Sequence, residues 1–331
     1  MPTRIIFPAK GEVALEEFQL PQPGAHEVRV RTLYSLMSIG TETIILHQKY
    51  DPDTHFADIF SFPQLQTGVQ SVAEVETIGS NVSEFKPGDH IYMRMGHGSH
   101  QLMAAKDCSP IPHGMDLKQA CWAGLAKTAH RAAWAGRFEP GQHILIIGAG
   151  PVGQMAIRWA SHSGADTVAV VDLSTTRLAL AKKGGATQVF NADIADCLDD
   201  IQSLNAGIGP SIVVDVTGNA AVFQHALAAA ARFGKVILLG DTGYPSRQRL
   251  SSDVMTKGLT IQATHDSHDR DGWTERRIDA LFFDLVLRGE FDLSGLLTHE
   301  FLPSDCAQAY ALADEQRAQI MGILFDWSDS E

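Results

Sequence analysis

The stretch "HILIIGAGPVGQMAIRWASHSG", residues 143–164, decides the fold of this chain. It begins with an apolar run of strand type, continues with a glycine-rich turn and ends in a helical pattern. In this order, the spacing Gly-x-Gly-x-x-Gly is typical of a dinucleotide-binding turn. The first glycine permits a tight turn, the second lets the backbone approach a pyrophosphate, and the third lets the helix pack on the strand. The pattern predicts cofactor contacts by Gly148, Gly150, Pro151, Val152 and Gly153.

A carboxylate follows the next predicted strand. Asp172 ends the stretch "TVAVVD", about 20 residues after Gly153. A carboxylate there can accept hydrogen bonds from the adenosine ribose, whereas it would repel a 2′-phosphate. The sequence therefore predicts NAD rather than NADP. Arg177 could pair with such a phosphate, but we interpret it as a residue that flanks the adenosine.

The patterns on either side of this stretch differ. Residues 1–110 form short alternating runs separated by turn residues, which indicates an antiparallel β domain. After residue 115, continuous apolar runs alternate with helical segments, which is typical of a doubly wound parallel sheet. The tail mixes helices and strands again. We therefore predict an α/β chain in which a Rossmann domain, residues 126–267, is inserted into a catalytic domain of residues 1–125 and 268–331.

Composition restricts the class of protein. The chain has 331 residues, 44% of them hydrophobic, and a formal net charge of −13. This acidic balance without a cluster of basic residues argues against nucleic-acid binding. We find no signal peptide and no apolar run of membrane-spanning length, so we predict a cytoplasmic protein without membrane contact. The four cysteines are scattered, which fits reduced thiols rather than a four-cysteine zinc site.

The whole chain resembles the medium-chain dehydrogenase/reductase superfamily, whose members join a chaperonin-10-like β domain to an inserted Rossmann domain. The resemblance is carried by "GSNVSEFKPGDHIY", "KTAHRAA", "ILIIGAGPVGQMA", "VVDVTGN" and "LLTHEFLPSDCAQAYAL". Within the superfamily, "YSLMSIGTE", "AKTAHRA", "GLLTH" and "LFDWSD" are similar to a zinc-free branch that resembles bacteriochlorophyllide a dehydrogenase.

The resemblance implies further cofactor contacts and a partner. Thr217, Gly218, Leu239 and Gly240 match positions at the ends of parallel strands, on the side where doubly wound sheets bind ligands. Thr128 matches a position close to the nicotinamide. In this superfamily the last Rossmann strand, here "LTIQATH", often pairs with a second subunit, so we predict a homodimer.

The positions that match zinc ligands have changed. Ser38-Ile39 stands where a cysteine is expected, Val69 replaces a histidine, and Gly124 occupies the place of a third ligand. A catalytic zinc needs about three protein ligands, so we predict no catalytic and no structural metal. The rival interpretation is a metal site rebuilt from histidines. Its candidates are His97 with His100, or His265 with His268, joined by Glu42 or Asp266.

Without zinc, side chains must handle the oxygen of the substrate. The resemblance implies that Thr41 starts a proton relay, with Ser38 beside it, and that the helix bearing Lys127 and His130 lines the cleft. Histidine and lysine suit proton transfer and orientation of an oxygen. Alternatively, Lys127 is a solvated charge and His130 a packed residue. Further predicted substrate contacts are His97, Glu42, Tyr50 and His265.

These observations predict a metal-independent, NAD-dependent dehydrogenase. Its substrate would be a secondary alcohol on a polyol, a sugar derivative or a larger ring-bearing molecule. Two alternatives stay open: a zinc-free NADPH-dependent quinone or enoyl reductase, and a non-catalytic nucleotide-binding protein.

Overall fold

The computed structural model describes residues 1–329. Its catalytic part contains a seven-stranded sheet in the order β15-β16-β3-β5-β6-β8, with β7 also paired to β3, and a three-stranded sheet in the order β2-β1-β4. The strands are β1 (Thr3–Phe7), β2 (Ala14–Glu17), β3 (Glu27–Leu36), β4 (Leu65–Gln66), β5 (Ser71–Ile78), β6 (His90–Met93), β7 (His100–Ala104), β8 (Cys108–Pro110), β15 (His299–Phe301) and β16 (Ile323–Asp326).

All pairings in these two sheets are antiparallel except that of β15 with β16. Strand β3 shows why the sheet forms, since Val28, Val30 and Thr32 alternate into the core while their neighbours are half-buried. The helices that accompany the sheets are α1 (Ile39–Leu46), α2 (His55–Ile59), α3 (Leu117–Ala120), α4 (Ala123–Gly136), α11 (Glu275–Leu287) and α12 (Cys306–Glu315).

The second sheet has six parallel strands in the order β11-β10-β9-β12-β13-β14. This is the strand order of a Rossmann fold, and it reverses between β9 and β12, where dinucleotides bind. The strands are β9 (His143–Ile147), β10 (Thr167–Val171), β11 (Gln188–Phe190), β12 (Ile212–Asp215), β13 (Lys235–Leu238) and β14 (Thr260–Ala263). The helices are α5 (Pro151–His162), α6 (Thr175–Lys183), α7 (Leu198–Gln202), α8 (Leu204–Gly207), α9 (Ala220–Ala229) and α10 (Asp253–Lys257).

The central strands of this sheet are buried on both faces, as their apolar runs require. Short 3₁₀ turns at Ala105–Asp107, Ile194–Cys197, Pro245–Arg247 and Pro303–Asp305 connect the elements. The largest core packs α4 and α5 against α11 and extends to Trp122 and Met321 of the catalytic part. The predicted α/β class and the two kinds of sheet are therefore confirmed, and the domain boundaries stay a prediction.

Two details go beyond the sequence interpretation. The helix that bears Lys127 and His130, α4, is preceded by the short helix α3, and Cys121 and Trp122 separate the two. The N-terminal region contains α1 and α2 as well as strands. None of the helices in residues 1–329 is long and apolar enough to cross a bilayer, and α4, at 14 residues, is the longest of them.

Candidate active site

The glycine-rich turn has the geometry of an anion site at the start of α5. Gly148 has a φ of +98°, which favours glycine. A Cβ atom at Gly153 would lie 2.0 Å from the carbonyl oxygen of Gly148, so a side chain there would push the helix away from the turn. Gly150 caps α5, and the nearest atom to a Cβ there is Nη1 of Arg177 at 3.8 Å. The turn therefore leaves open space in front of the first amides of α5, where an anion is favoured.

Asp172 lies directly beside this turn. Its Oδ2 accepts a hydrogen bond of 2.7 Å from the N–H of Ala149, and its Oδ1 accepts one of 2.8 Å from the N–H of Ser174. Arg177 donates through Nη2 to the carbonyl oxygens of Arg317 and Ile320. Burial lowers the pKa of Arg177, although Asp172 acts in the opposite direction. The carboxylate is thus held at the glycine-rich turn by two backbone N–H groups, while Arg177 is held by carbonyl groups near the C-terminus.

The ends of β12 and β13 meet beside the turn. Thr217 donates to Oδ1 of Asp215 from its N–H at 2.8 Å and its hydroxyl at 2.7 Å. A Cβ atom at Gly240 would lie 2.4 Å from the carbonyl oxygen of Val216, so the two strand ends approach closely only because Gly240 has no side chain. Gly218 adopts a φ of +62°. Together with Leu239, these residues form the carboxyl edge of the sheet, where the sequence predicted cofactor contacts.

The positions that match zinc ligands offer no ligand atoms. Ile39 and Val69 carry hydrocarbon side chains, and Ile39 is buried. At Gly124, a Cβ atom would lie 2.4 Å from the hydroxyl oxygen of Tyr92 and 2.9 Å from Oε1 of Gln70, so these two side chains fill the space of a third ligand. Tyr92 and Gln70 could not be identified from the sequence. A tyrosine in an alternating strand gives no indication that its side chain fills the space of a metal ligand.

Polar atoms beside Gly124 lack partners among the described residues. They are the hydroxyl of Tyr92 and Nε2 of Gln70, and both side chains are about 1% exposed. The amide oxygen of Gln70 accepts from the N–H of Leu125 at 3.1 Å. Burial is the main cause that raises the pKa of Tyr92 well above its ordinary value. Buried polar groups are normally paired, so these atoms are candidates to bind an oxygen of a ligand or water.

Lys127 and His265, which were predicted separately, belong to two polar groups, and the charges of Arg94 and Asp266 in the second group act on Lys127. Nζ of Lys127 lies 2.9 Å from Oε2 of Glu275, although only 1% of the lysine is exposed. Nδ1 of His265 lies 3.2 Å from Oδ1 of Asp266, whose Oδ2 lies 2.5 Å from Nη2 of Arg94. Burial lowers the pKa of Lys127 and Arg94 adds to this effect, while Glu275 and Asp266 oppose it. Lys127 is therefore a buried ion-pair member, not a solvated helix charge.

The structure argues against an acid-base role for His130. Its ring packs between Trp159 and Trp273, with centroid distances of 5.0 and 4.6 Å. Burial, with the nearby charges of Arg131 and Arg277, lowers the pKa of His130 to about 4. The ring lines a cavity of about 810 Å³ that does not include the glycine-rich turn. His130 is thus uncharged at neutral pH, and the alternative interpretation, a packed core residue, describes it better.

Burial also argues against substrate contact by His97 and Glu42, which are 0% and 2% exposed. Glu42 accepts hydrogen bonds from the N–H of Ser38 at 2.6 Å and from the hydroxyls of Thr67 at 2.9 Å and Tyr310. Nε2 of His97 lies 3.2 Å from Oε2 of Glu42. We call these five residues the Glu42 network. Ser35 connects the Glu42 network to Trp327. Its hydroxyl oxygen lies 2.7 Å from Nδ1 of His97 and accepts a hydrogen bond of 2.8 Å from Nε1 of Trp327.

The remaining predicted residues lie on or near α1 and α4. Thr41 is half-buried in the first turn of α1, directly after Ser38 and Ile39. Tyr50 stacks on Phe56 at 5.7 Å and lies against Gly243 in the loop after β13, which places it where the two parts of the chain meet. The hydroxyl of Thr128 donates to the carbonyl oxygen of Gly124 at 2.8 Å, so this group is already paired.

Comparisons with known proteins agree with this description. The family described as "Zinc-binding dehydrogenase" matches residues 151–278. The L-threonine 3-dehydrogenase of Anaeromyxobacter sp. (strain Fw109-5) is 26% identical over 353 aligned residues, covering 96% of this chain and 97% of that protein. The sorbitol dehydrogenase of Bacillus subtilis (strain 168) is 27% identical over 274 residues, covering 73% of this chain and 75% of that protein.

Solved structures show the same fold. One is a zinc-binding dehydrogenase of unproven activity from Sinorhizobium meliloti 1021, bound to NADP. It has a TM-score of 0.84 and 18% sequence identity, with 98% of this chain and 99% of that chain covered. At this identity the likeness concerns the fold alone.

Proposed function

Membership of the medium-chain dehydrogenase/reductase (zinc-type alcohol dehydrogenase-like) superfamily is supported by these matches, and from this premise we propose that the chain is an NAD-dependent oxidoreductase. The reaction is hydride transfer between a secondary alcohol and the cofactor. The alcohol belongs to a polyol, a sugar derivative or a larger ring-bearing molecule. The relatives named for sorbitol and L-threonine support a small hydroxylated substrate.

The observation that carries this proposal is the turn at Gly148, Gly150 and Gly153. Its positive φ, its open N-terminal space and its close helix packing are the features that a bound pyrophosphate needs. When bound, the nicotinamide supplies the hydride chemistry. NAD is preferred because Asp172 lies beside the turn and would repel a 2′-phosphate, while Arg177 is engaged with carbonyl oxygens.

We propose that the substrate oxygen is bound by side chains around Gly124 rather than by zinc. Ile39, Val69 and Gly124 offer no ligand atoms, and the unpaired hydroxyl of Tyr92 adjoins the third position. Lys127 lies one helical turn after Gly124, and its lowered pKa makes its ammonium group a better proton donor. Lys127 would orient the oxygen and exchange a proton with it. The relay that the superfamily resemblance assigns to Ser38 and Thr41 stays a prediction.

The test compares cofactor binding with turnover. We expect NADH to bind more tightly than NADPH in a fluorescence titration, and a panel of secondary alcohols and polyols to reduce NAD. Lys127→Ala should lower kcat and change its pH profile, whereas the matched control Lys182→Ala, on the outer face of α6, should not. A clear preference for NADPH with reduction of enones or quinones would support the alternative reductase. NAD binding without turnover of any alcohol would support a non-catalytic protein.

Metal independence is tested separately. Extended dialysis against a chelator should leave alcohol turnover unchanged. Loss of kcat on chelation while NADH binding and unfolding stability stay unchanged, with recovery on addition of one metal, would contradict a reaction run by side chains alone.

Three further expectations remain proposals. Strand β14 is an edge of the parallel sheet, and we propose that it pairs with β14 of a second copy. Sedimentation should then give a dimer, and Ile261→Pro in β14 should shift it toward monomer. A cytoplasmic location and kinship to the bacteriochlorophyllide a dehydrogenase branch are supported only by composition and by short sequence stretches.

A further inference from the structure

Three side chains from separate segments converge outside the positions that match zinc ligands. His55 begins α2, Asp241 follows β13, and His265 follows β14. One ring nitrogen of each histidine and one carboxylate oxygen of Asp241 lie within 4.8 Å of one another. Nε2 of His55 lies 3.0 Å from Oδ2 of Asp241, and the two imidazole centroids are 5.8 Å apart. This set, which we call the His-Asp-His cluster, combines two imidazoles with one carboxylate.

The ring of His265 is held by its other nitrogen. Nδ1 lies 2.7 Å from the hydroxyl oxygen of Ser267, and in the tautomer that carries its proton on Nδ1 the ring donates to that oxygen. Asp266 also approaches Nδ1, at 3.2 Å. These contacts fix the plane of the ring and leave Nε2 for a ligand. Such support of the second nitrogen is the usual arrangement behind a metal-bound histidine.

The ligand atoms of the cluster suit a particular class of ion. Two imidazoles and a carboxylate fit zinc and neighbouring transition metals, whereas magnesium and calcium prefer oxygen ligands. In a tetrahedral site with bonds of about 2.0–2.2 Å, ligand atoms are about 3.3–3.6 Å apart. The distance of 3.0 Å between Nε2 of His55 and Oδ2 of Asp241 is near this range, and all three ligand atoms lie within 4.8 Å of one another. The side chains are 41–46% exposed, so they can move closer together around an ion and be reached from solvent.

The location gives the cluster a role. His55 belongs to the catalytic part, while Asp241 and His265 lie at the carboxyl edge of the Rossmann sheet, next to Leu239 and Gly240. We propose that His55, Asp241 and His265 bind one divalent transition-metal ion of the zinc type, which links the two parts of the chain beside the cofactor site. This goes beyond the proposed function and departs from the sequence-based prediction of no structural metal, at a place different from Ile39, Val69 and Gly124. The rival interpretation of the sequence included His265 but joined it to His268 and Asp266.

The test measures metal binding without reference to turnover. The full chain is stripped with a chelator and titrated with Co²⁺ alone, followed by visible absorption, and with Zn²⁺ alone by calorimetry. We expect one equivalent to bind. His55→Ala and His265→Ala should each weaken binding at least tenfold, because loss of a ligand should cost at least as much as loss of a supporting contact. Asp241→Asn should weaken it as well.

A matched control separates this site from general binding by histidines. His113→Ala removes an exposed histidine that lies in a turn outside the cluster and should bind the metal like the parent chain. Circular dichroism checks that every variant is folded. The proposal is overturned if the parent binds no stoichiometric Co²⁺ or Zn²⁺, or if the cluster variants bind as tightly as the parent. These outcomes are independent of whether any alcohol is oxidised.

Discussion

Replacing Glu42 by glutamine tests whether the Glu42 network is structural. Four donors surround the carboxylate: the N–H of Ser38, the hydroxyls of Thr67 and Tyr310, and the ring of His97. A glutamine at position 42 keeps one oxygen that accepts hydrogen bonds. Its NH₂ group takes the place of the other oxygen and faces hydrogen-bond donors from which it cannot accept. Leaving a buried hydrogen-bond donor without its acceptor costs about 1–3 kcal/mol. We therefore expect Glu42→Gln to lower the free energy of unfolding by about 1–3 kcal/mol.

The assay is urea denaturation at pH 7, followed by tryptophan fluorescence because Trp327 belongs to the connected hydrogen bonds. The control is Glu300→Gln, which removes the ion pair between Glu300 and Lys118. Their side chains are 43% and 33% exposed, respectively. An exposed pair contributes about 0–1 kcal/mol, so this variant should stay close to the parent. Equal stability of the two variants would refute the structural role. A large increase in KM for the Glu42→Gln variant, at temperatures where the variant is folded, would also refute a purely structural role.

Acid provides a second readout of the same network. Burial acts to raise the pKa of Glu42, but the nearby ring of His97 and the hydrogen bonds from His97, Tyr310 and Ser38 outweigh it, so the pKa is lowered from its ordinary value of 4.5. A carboxylate with a lowered pKa stabilises the folded state above pH 4.5, and this contribution is lost as the pH falls through the folded pKa. The stability difference between the parent and Glu42→Gln should therefore shrink below pH 4.5.

The remaining predictions concern cofactor and catalysis. Gly153→Ala should weaken NADH binding at least tenfold in a fluorescence titration, because its Cβ atom would meet the carbonyl oxygen of Gly148 at 2.0 Å; unchanged affinity would contradict the packing argument. Asp172→Ser should reduce the ratio of NADH affinity to NADPH affinity, by about tenfold for each 1.4 kcal/mol of electrostatic repulsion removed. An unaltered ratio would show that Asp172 does not determine cofactor specificity. His130→Phe should leave the pH dependence of kcat unchanged, because the pKa of His130 is about 4 and its ring packs on tryptophans; a lost acid-base step would reverse our interpretation.

The nucleotide half of the protein could be predicted from sequence because its signals are local. The glycines at 148, 150 and 153 act through backbone conformation and contacts within one turn, so their spacing carries the information. Asp172 lies at the end of the neighbouring strand, which the parallel topology brings beside that turn. The confirmed fold class follows from these short-range rules.

The substrate half could not be predicted in the same way. His97 and Glu42 were predicted to contact the substrate, but both are buried and they contact each other over 55 residues of sequence separation. Tyr92 fills the space at Gly124 from another strand, and His55 meets Asp241 from the other part of the chain. Contacts between such distant residues leave no periodic pattern in the sequence, because they depend on how separate segments pack.

The hydroxyl of Tyr92 limits what can be introduced at Gly124. Cysteine or histidine in place of Ile39 and Val69 would supply two metal ligands, but a Cβ atom at Gly124 would already lie 2.4 Å from the phenol oxygen. Because Tyr92 is buried, the phenol would have to move or be shortened before a third ligand fitted there. A designed metal site at these three positions therefore needs a fourth substitution, at Tyr92.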